Sequence, residues 1–105
     1  MKRYIQNFDE LAVTKERVDL LTIIESAYES IDTKNIIEQN LKVDNNILTI
    51  KDNHFNLNDF DHIYLIGFGK TSSIAVRAIE NILGDRIAGG IVMDKKIGEC
   101  KYVKQ

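Results

Sequence analysis

The sequence predicts an α/β fold organised around one β-α-β unit at residues 62–94. Three observations predict it. Ile63-Tyr64-Leu65-Ile66 is an unbroken apolar run ending at Gly67-Phe68-Gly69, as in a strand covered on both faces. From Lys70 the period turns helical, with Ile74, Ala75, Ala78, Ile79, Ile82 and Leu83 on one side and Gly84 placed as a C-terminal cap. A second apolar run, Ile87 to Met93, then supplies a parallel partner strand reached by a right-handed crossover.

The preceding elements follow in order. Leu20, Leu21, Ile24, Ala27, Tyr28 and Ile31 recur at spacings of three and four, giving an amphipathic helix over about 14–31 with Thr14 as N-cap. Its stripe reads as core or interdomain surface. A short second helix opens near Thr33 and carries Ile36, Ile37 and Leu41. Leu41-Lys42-Val43 and Ile47-Leu48-Thr49-Ile50 flank Asp44-Asn45-Asn46, an Asx turn suited to left-handed backbone angles, and so form a β-hairpin. Residues 51–61 are polar and Asn/Asp-rich, with Phe55, Leu57 and Phe60 as anchors, and read as a loop; 95–105 reads as a solvated tail.

The organisation is thus a single unit over 1–105: a helical lead-in (1–40), hairpin and loop (41–61), β-α-β unit (62–94) and tail. Composition bounds what it does. With 105 residues and 44% hydrophobic side chains it has material for one small core, and disorder is excluded for the chain as a whole. A net charge of −2 lacks the basic field that nucleic-acid binding needs. No apolar run approaches the roughly 18 residues of a spanning helix, so the expectation is a cytoplasmic protein with no membrane partner. The single cysteine, Cys100, and two histidines, His54 and His62, offer neither an internal disulfide nor metal-ligand spacing.

Chemistry concentrates at Gly67-Phe68-Gly69-Lys70-Thr71-Ser72, where a strand's carboxyl end meets a helix start. Unpaired N–H groups and the positive dipole end favour anions there. Gly67 and Gly69 permit close approach, Lys70 brings a cation, and Thr71, Ser72 and Ser73 bring hydroxyls. Phosphate or carboxylate is the matching ligand; the competing reading is a tight turn capped by its own hydroxyls. A Walker loop needs glycine where Tyr64 stands, and a dinucleotide turn would use Asp94 at the end of the next strand.

The run from Phe60 through Lys70, with Leu83-Gly84-Asp85-Arg86-Ile87-Ala88-Gly89-Gly90-Ile91-Val92 after it, resembles the N-terminal region of the glycerate 2-kinase (MOFRL-type) family, also labelled hydroxypyruvate reductases. The likeness covers nearly the whole chain, although the family usually follows its G-x-G-K turn with alanines rather than Thr71-Ser72-Ser73. It implies a Rossmann-like three-layer fold and phosphoryl transfer from ATP, with a divalent cation (Mg), to the 2-hydroxyl of D-glycerate. Lys70 would be the catalytic lysine, and Gly67, Gly69, Lys70, Thr71 and Ser72 the phosphate or substrate contacts, with no metal ligand assigned. Family members are several times longer, so the resemblance implies an N-terminal fragment, inactive alone.

Two other readings compete: a small sugar-phosphate-binding module resembling SIS domains, and a non-catalytic interaction domain that self-associates through an exposed sheet edge or helix. His62, the Asp59/Asp61 pair and Cys100 read as surface or capping groups, and Gly89-Gly90 as close packing of the second strand against the helix.

Overall fold

The computed structural model describes residues 3–95 and 100–105. The chain is a mixed α/β structure of helices flanking a small strand core. A four-residue helix α1 (Phe8–Leu11) precedes α2 (Lys15–Ser30) and α3 (Thr33–Asn40). Thr14 caps α2 by accepting from Arg17 N at 3.2 Å, and Asp32 caps α3 by accepting from Asn35 N at 3.1 Å.

Strands β1 (Leu41–Asp44) and β2 (Ile47–Ile50) form the predicted hairpin, with Asn45 and Asn46 both at positive φ (47° and 63°) as a two-residue turn of this hand demands. The stretch read as loop contains a third strand, β3 (Asn53–Asn56), antiparallel to β2. Lys51 at φ 54° makes the turn, and Thr49 Oγ1 meets His54 Nδ1 across the pair at 3.0 Å.

The β-α-β unit is β4 (Ile63–Phe68), α4 (Ser72–Leu83) and β5 (Ile87–Met93), with β4 and β5 parallel. Gly84 ends α4 at φ 59°. The expected coverage on both faces is not met. Ile63, Leu65 and Gly67 turn toward α4, while Tyr64, Ile66 and Phe68 are 65%, 71% and 80% exposed on the other face. The sheet therefore has two layers among the described residues.

The core comprises Val76, Leu83, Ile87, Val92 and Val103. Val103 lies in the segment read as a solvated tail; it docks instead, because Lys104 bridges β5 beside Ile91, its N–H donating to Gly90 O and its carbonyl accepting from Val92 N. Gly90 packs against β4 rather than the helix: a Cβ there would lie 1.9 Å from the Leu65 carbonyl oxygen. The predicted α2 stripe is only partly covered. Leu21 and Ile24 are half-buried, whereas Leu20, Tyr28 and Ile31 are exposed.

Two buried carboxylates hold the chain ends. Glu80 on α4 accepts the main-chain N–H groups of Lys101, Tyr102 and Val103. Glu25 on α2 accepts those of Tyr4 and Ile5, at 3.0 Å and 2.7 Å to its nearer oxygens. These bonds, chiefly Tyr4's, hold the Glu25 carboxyl below its ordinary pKa against the opposing effect of burial. The radius of gyration, 17.6 Å, exceeds the roughly 13 Å of a compact chain this long, and the surface of 8132 Å² exceeds the roughly 6,000 Å² expected for its mass. Among the described residues no helix is long and apolar enough to cross a membrane.

Candidate functional site

The turn between β4 and α4 sits at the carboxyl ends of two parallel strands, where an open α/β sheet offers a crevice. Residues 65–72 and α4's Ala75, Val76 and Ile79 line an open cleft of about 370 Å³ there.

Gly67 is still in the strand. A Cβ on it would fall 2.7 Å from Val76 Cγ2 and 3.3 Å from Val92 Cγ2, so the missing side chain lets α4 approach the sheet. Gly69, at φ 110°, makes the turn, and its N–H donates to Met93 O at 3.1 Å. Ser72 Oγ lies 2.7 Å from Gly69 O and 2.9 Å from Met93 O, so this hydroxyl ties the turn to the end of β5.

Ser73, buried in the first turn of α4, donates both its N–H (3.1 Å) and its hydroxyl (2.6 Å) to Asp94 Oδ2. An internal carboxylate thus already occupies one donor of the helix start and satisfies the dipole. The acid ending β5 was legible as a candidate; its engagement with the helix was not. What stays open is one residue earlier. Among the described residues the amides of Lys70 and Thr71 have no acceptor, Thr71 makes no side-chain cap, and the Lys70 side chain is exposed beside them.

The structure therefore brings Gly67, Gly69, Lys70, Thr71 and Ser72 together at one cleft, in three roles. Gly67 and Ser72 build the scaffold, Gly69 sets the turn, and Lys70 with Thr71 presents donors outward. The other polar candidates lie elsewhere. His62 stacks obliquely on Tyr64 with ring centres 5.9 Å apart, at the opposite end of β4. Burial, with Glu80 nearby, raises the Cys100 thiol pKa and keeps it protonated, although Arg77 acts the other way. Among the described residues no three His, Cys, Asp or Glu side chains converge as a metal would require.

Comparison with known proteins gives a family and a fold. Residues 19–104 match the family described as a domain of unknown function, DUF4147, and the chain belongs to it. The structure is similar to the crystal structure of the PH0495 protein from Pyrococcus horikoshii OT3, with TM-score 0.73 and 23% identity over 88% of this chain. The match takes in 21% of that protein, so the chain spans about a fifth of its length. No curated protein matches the chain significantly.

Proposed function

With that family membership as premise, we propose that the chain is the anion-binding, N-terminal part of a glycerate 2-kinase-like phosphotransferase. The observation that carries the reading is the pair of Lys70 and Thr71 amides, without an acceptor among the described residues, beside the Lys70 side chain at the mouth of a parallel β-turn-helix unit. A phosphate or carboxylate oxygen there would meet two backbone donors and a mobile cation. Since Asp94 already takes Ser73, the helix start carries less unbalanced positive charge, and Lys70 becomes the principal source of attraction.

In the complete reaction the terminal phosphoryl group of ATP passes to the 2-hydroxyl of glycerate. Lys70 would offset charge on the carboxylate or on the group in flight, a task of positioning and electrostatics. Among the described residues no three His, Cys, Asp or Glu side chains converge to cage a metal, so a divalent cation would be held largely by the nucleotide phosphates, and no step is assigned to it. The three-stranded β1–β3 meander ahead of β4 favours this reading over a SIS-like module, which leads into its strand through helices. The two layers here would become a Rossmann-like three-layer arrangement once helices cover the Tyr64 face.

The test is equilibrium binding of inorganic phosphate, D-glycerate and ATP, followed by amide chemical shifts at Lys70 and Thr71. Lys70→Ala should weaken binding about tenfold, the loss of one exposed charge-assisted contact of about 1.5 kcal/mol. Equal affinity in both proteins removes Lys70 from the site. The isolated chain should show no glycerate-dependent ATP consumption; turnover by pure protein would refute the inactive-fragment reading.

A further inference from the structure

The turn from Gly69 to Ser73 is moored to the end of β5 on both sides. On its entry side the Gly69 N–H donates to Met93 O at 3.1 Å. On its exit side the Ser72 hydroxyl lies 2.9 Å from the same carbonyl, and Ser73 gives its N–H (3.1 Å) and its hydroxyl (2.6 Å) to Asp94 Oδ2. Between the moorings stand Lys70 and Thr71, both exposed, whose amides have no acceptor among the described residues.

A short span held at both ends keeps its N–H groups aimed in one direction before any ligand arrives. Fixing the backbone of a single residue costs the equivalent of about five- to thirtyfold in affinity, a cost that a turn already fixed does not incur on binding. The two exit moorings differ in strength. Ser72 Oγ has one proton to divide between Met93 O and Gly69 O, the latter at 2.7 Å. The Ser73 contacts are charge-assisted, and Ser73 is only 6% exposed, so water competes little for them. Asp94 is the stronger of the two.

We infer that Asp94 is a positioning residue of the anion site: through Ser73 it fixes where α4 begins, and so aims the Lys70 and Thr71 amides at the ligand without touching the ligand itself. An ionised carboxylate has no proton to donate to an anion, so Asp94 acts from behind the turn. This inference deepens the anion reading and rests on it. A carboxylate at a helix start can also do the reverse and compete with a ligand for the positive end. The two roles differ in sign, since losing Asp94 weakens binding in the first and tightens it in the second. Geometry favours the first, because the donors Asp94 takes belong to buried Ser73 and the exposed pair is left open.

The experiment titrates inorganic phosphate into the full chain and follows the Lys70 and Thr71 amide shifts, with far-UV circular dichroism checking that each variant is folded. Asp94→Ala should bind about tenfold more weakly, and its Lys70 and Thr71 resonances should already be displaced before phosphate is added. Asp94→Asn keeps an oxygen for both Ser73 donors and should stay within about threefold of wild type. Asp94 takes part in another interaction as well, so a double-mutant cycle isolates this one: adding Ser73→Ala to Asp94→Ala should weaken binding no further. If Asp94→Ala does not fold, Ser73→Ala alone, which removes the 2.6 Å contact from the other side, should show a severalfold loss. Equal or tighter binding by Asp94→Ala, or by Ser73→Ala where it stands in, overturns the inference. So does an Asp94→Asn protein as weak as Asp94→Ala, which would mean that charge acts and placement does not. Those results leave the anion reading standing as long as Lys70→Ala still weakens binding; a wild type that binds no phosphate, or a Lys70→Ala protein that binds it equally, overturns both.

Discussion

Replacing Glu80 by Gln tests how much of this small core depends on one charge. Glu80 is 4% exposed, and its Oε2 lies 3.1 Å from Lys101 N and 3.0 Å from Val103 N, with Tyr102 N on the same oxygen; Oε1 lies 2.9 Å from Lys101 N. Gln with its oxygen in the Oε2 position keeps three acceptor contacts but makes them neutral. A hydrogen bond to an ionised group contributes about 1.5–3 kcal/mol and a neutral one about 0.5–1.5, so each contact loses roughly 1 kcal/mol. The total is about 3 kcal/mol, a large share of the ~5–15 kcal/mol that stabilises a typical domain.

Glu80→Ala removes all four contacts, leaving three amides without their acceptor. Its cost is bounded, because segment 100–104 can undock and rehydrate its amides while giving up the burial of Val103, itself about 1.5–3 kcal/mol. Urea denaturation gives the stability difference, and hydrogen exchange at Tyr102 and Val103 localises it. The expected result for Gln is a lower midpoint and faster exchange at those two amides. A midpoint within about 0.5 kcal/mol of wild type would show that the buried carboxylate contributes no more than a neutral acceptor, and the reasoning would fail.

Two further perturbations follow from the same packing. Gly67→Ala places a methyl group 2.7 Å from Val76 Cγ2 and should destabilise the chain by about 1–3 kcal/mol in thermal or urea unfolding; a neutral outcome would mean the helix shifts freely on the sheet. Glu25 has a folded pKa below its unfolded value near 4.5, so its stabilising effect is complete above that pH and is lost as pH falls through the folded value. The stability gap between wild type and Glu25→Gln should therefore be widest near neutrality and close in acid, as unfolding at several pH values would show.

The β4–turn–α4–β5 unit was legible because each boundary carries its own chemical mark. The apolar run stops at glycine, the helical period begins at once, and Gly84 ends it. The Asn45-Asn46 turn was legible for the same reason. Strand β3 was not, since Asn53, His54 and Asn56 surround a single apolar Phe55 and the strand lies exposed at an edge. Its turn uses Lys51 at positive φ, a residue without turn signature. The residues of the candidate turn were readable as a group; their division of labour was not, because Gly67's neighbours Val76 and Val92 and the Asp94 contact with Ser73 are set by tertiary approach. Glu25 and Glu80 look like solvent-facing helix residues, and only segments about twenty residues away in sequence show otherwise.

Both glutamates grip peptide groups and ignore side chains. Every amino acid but one presents the same N–H, so as far as these grips are concerned residues 4, 5 and 101–103 are free to vary in identity while the ends stay fastened. Proline alone would undo a fastening outright, and the sequence contains none.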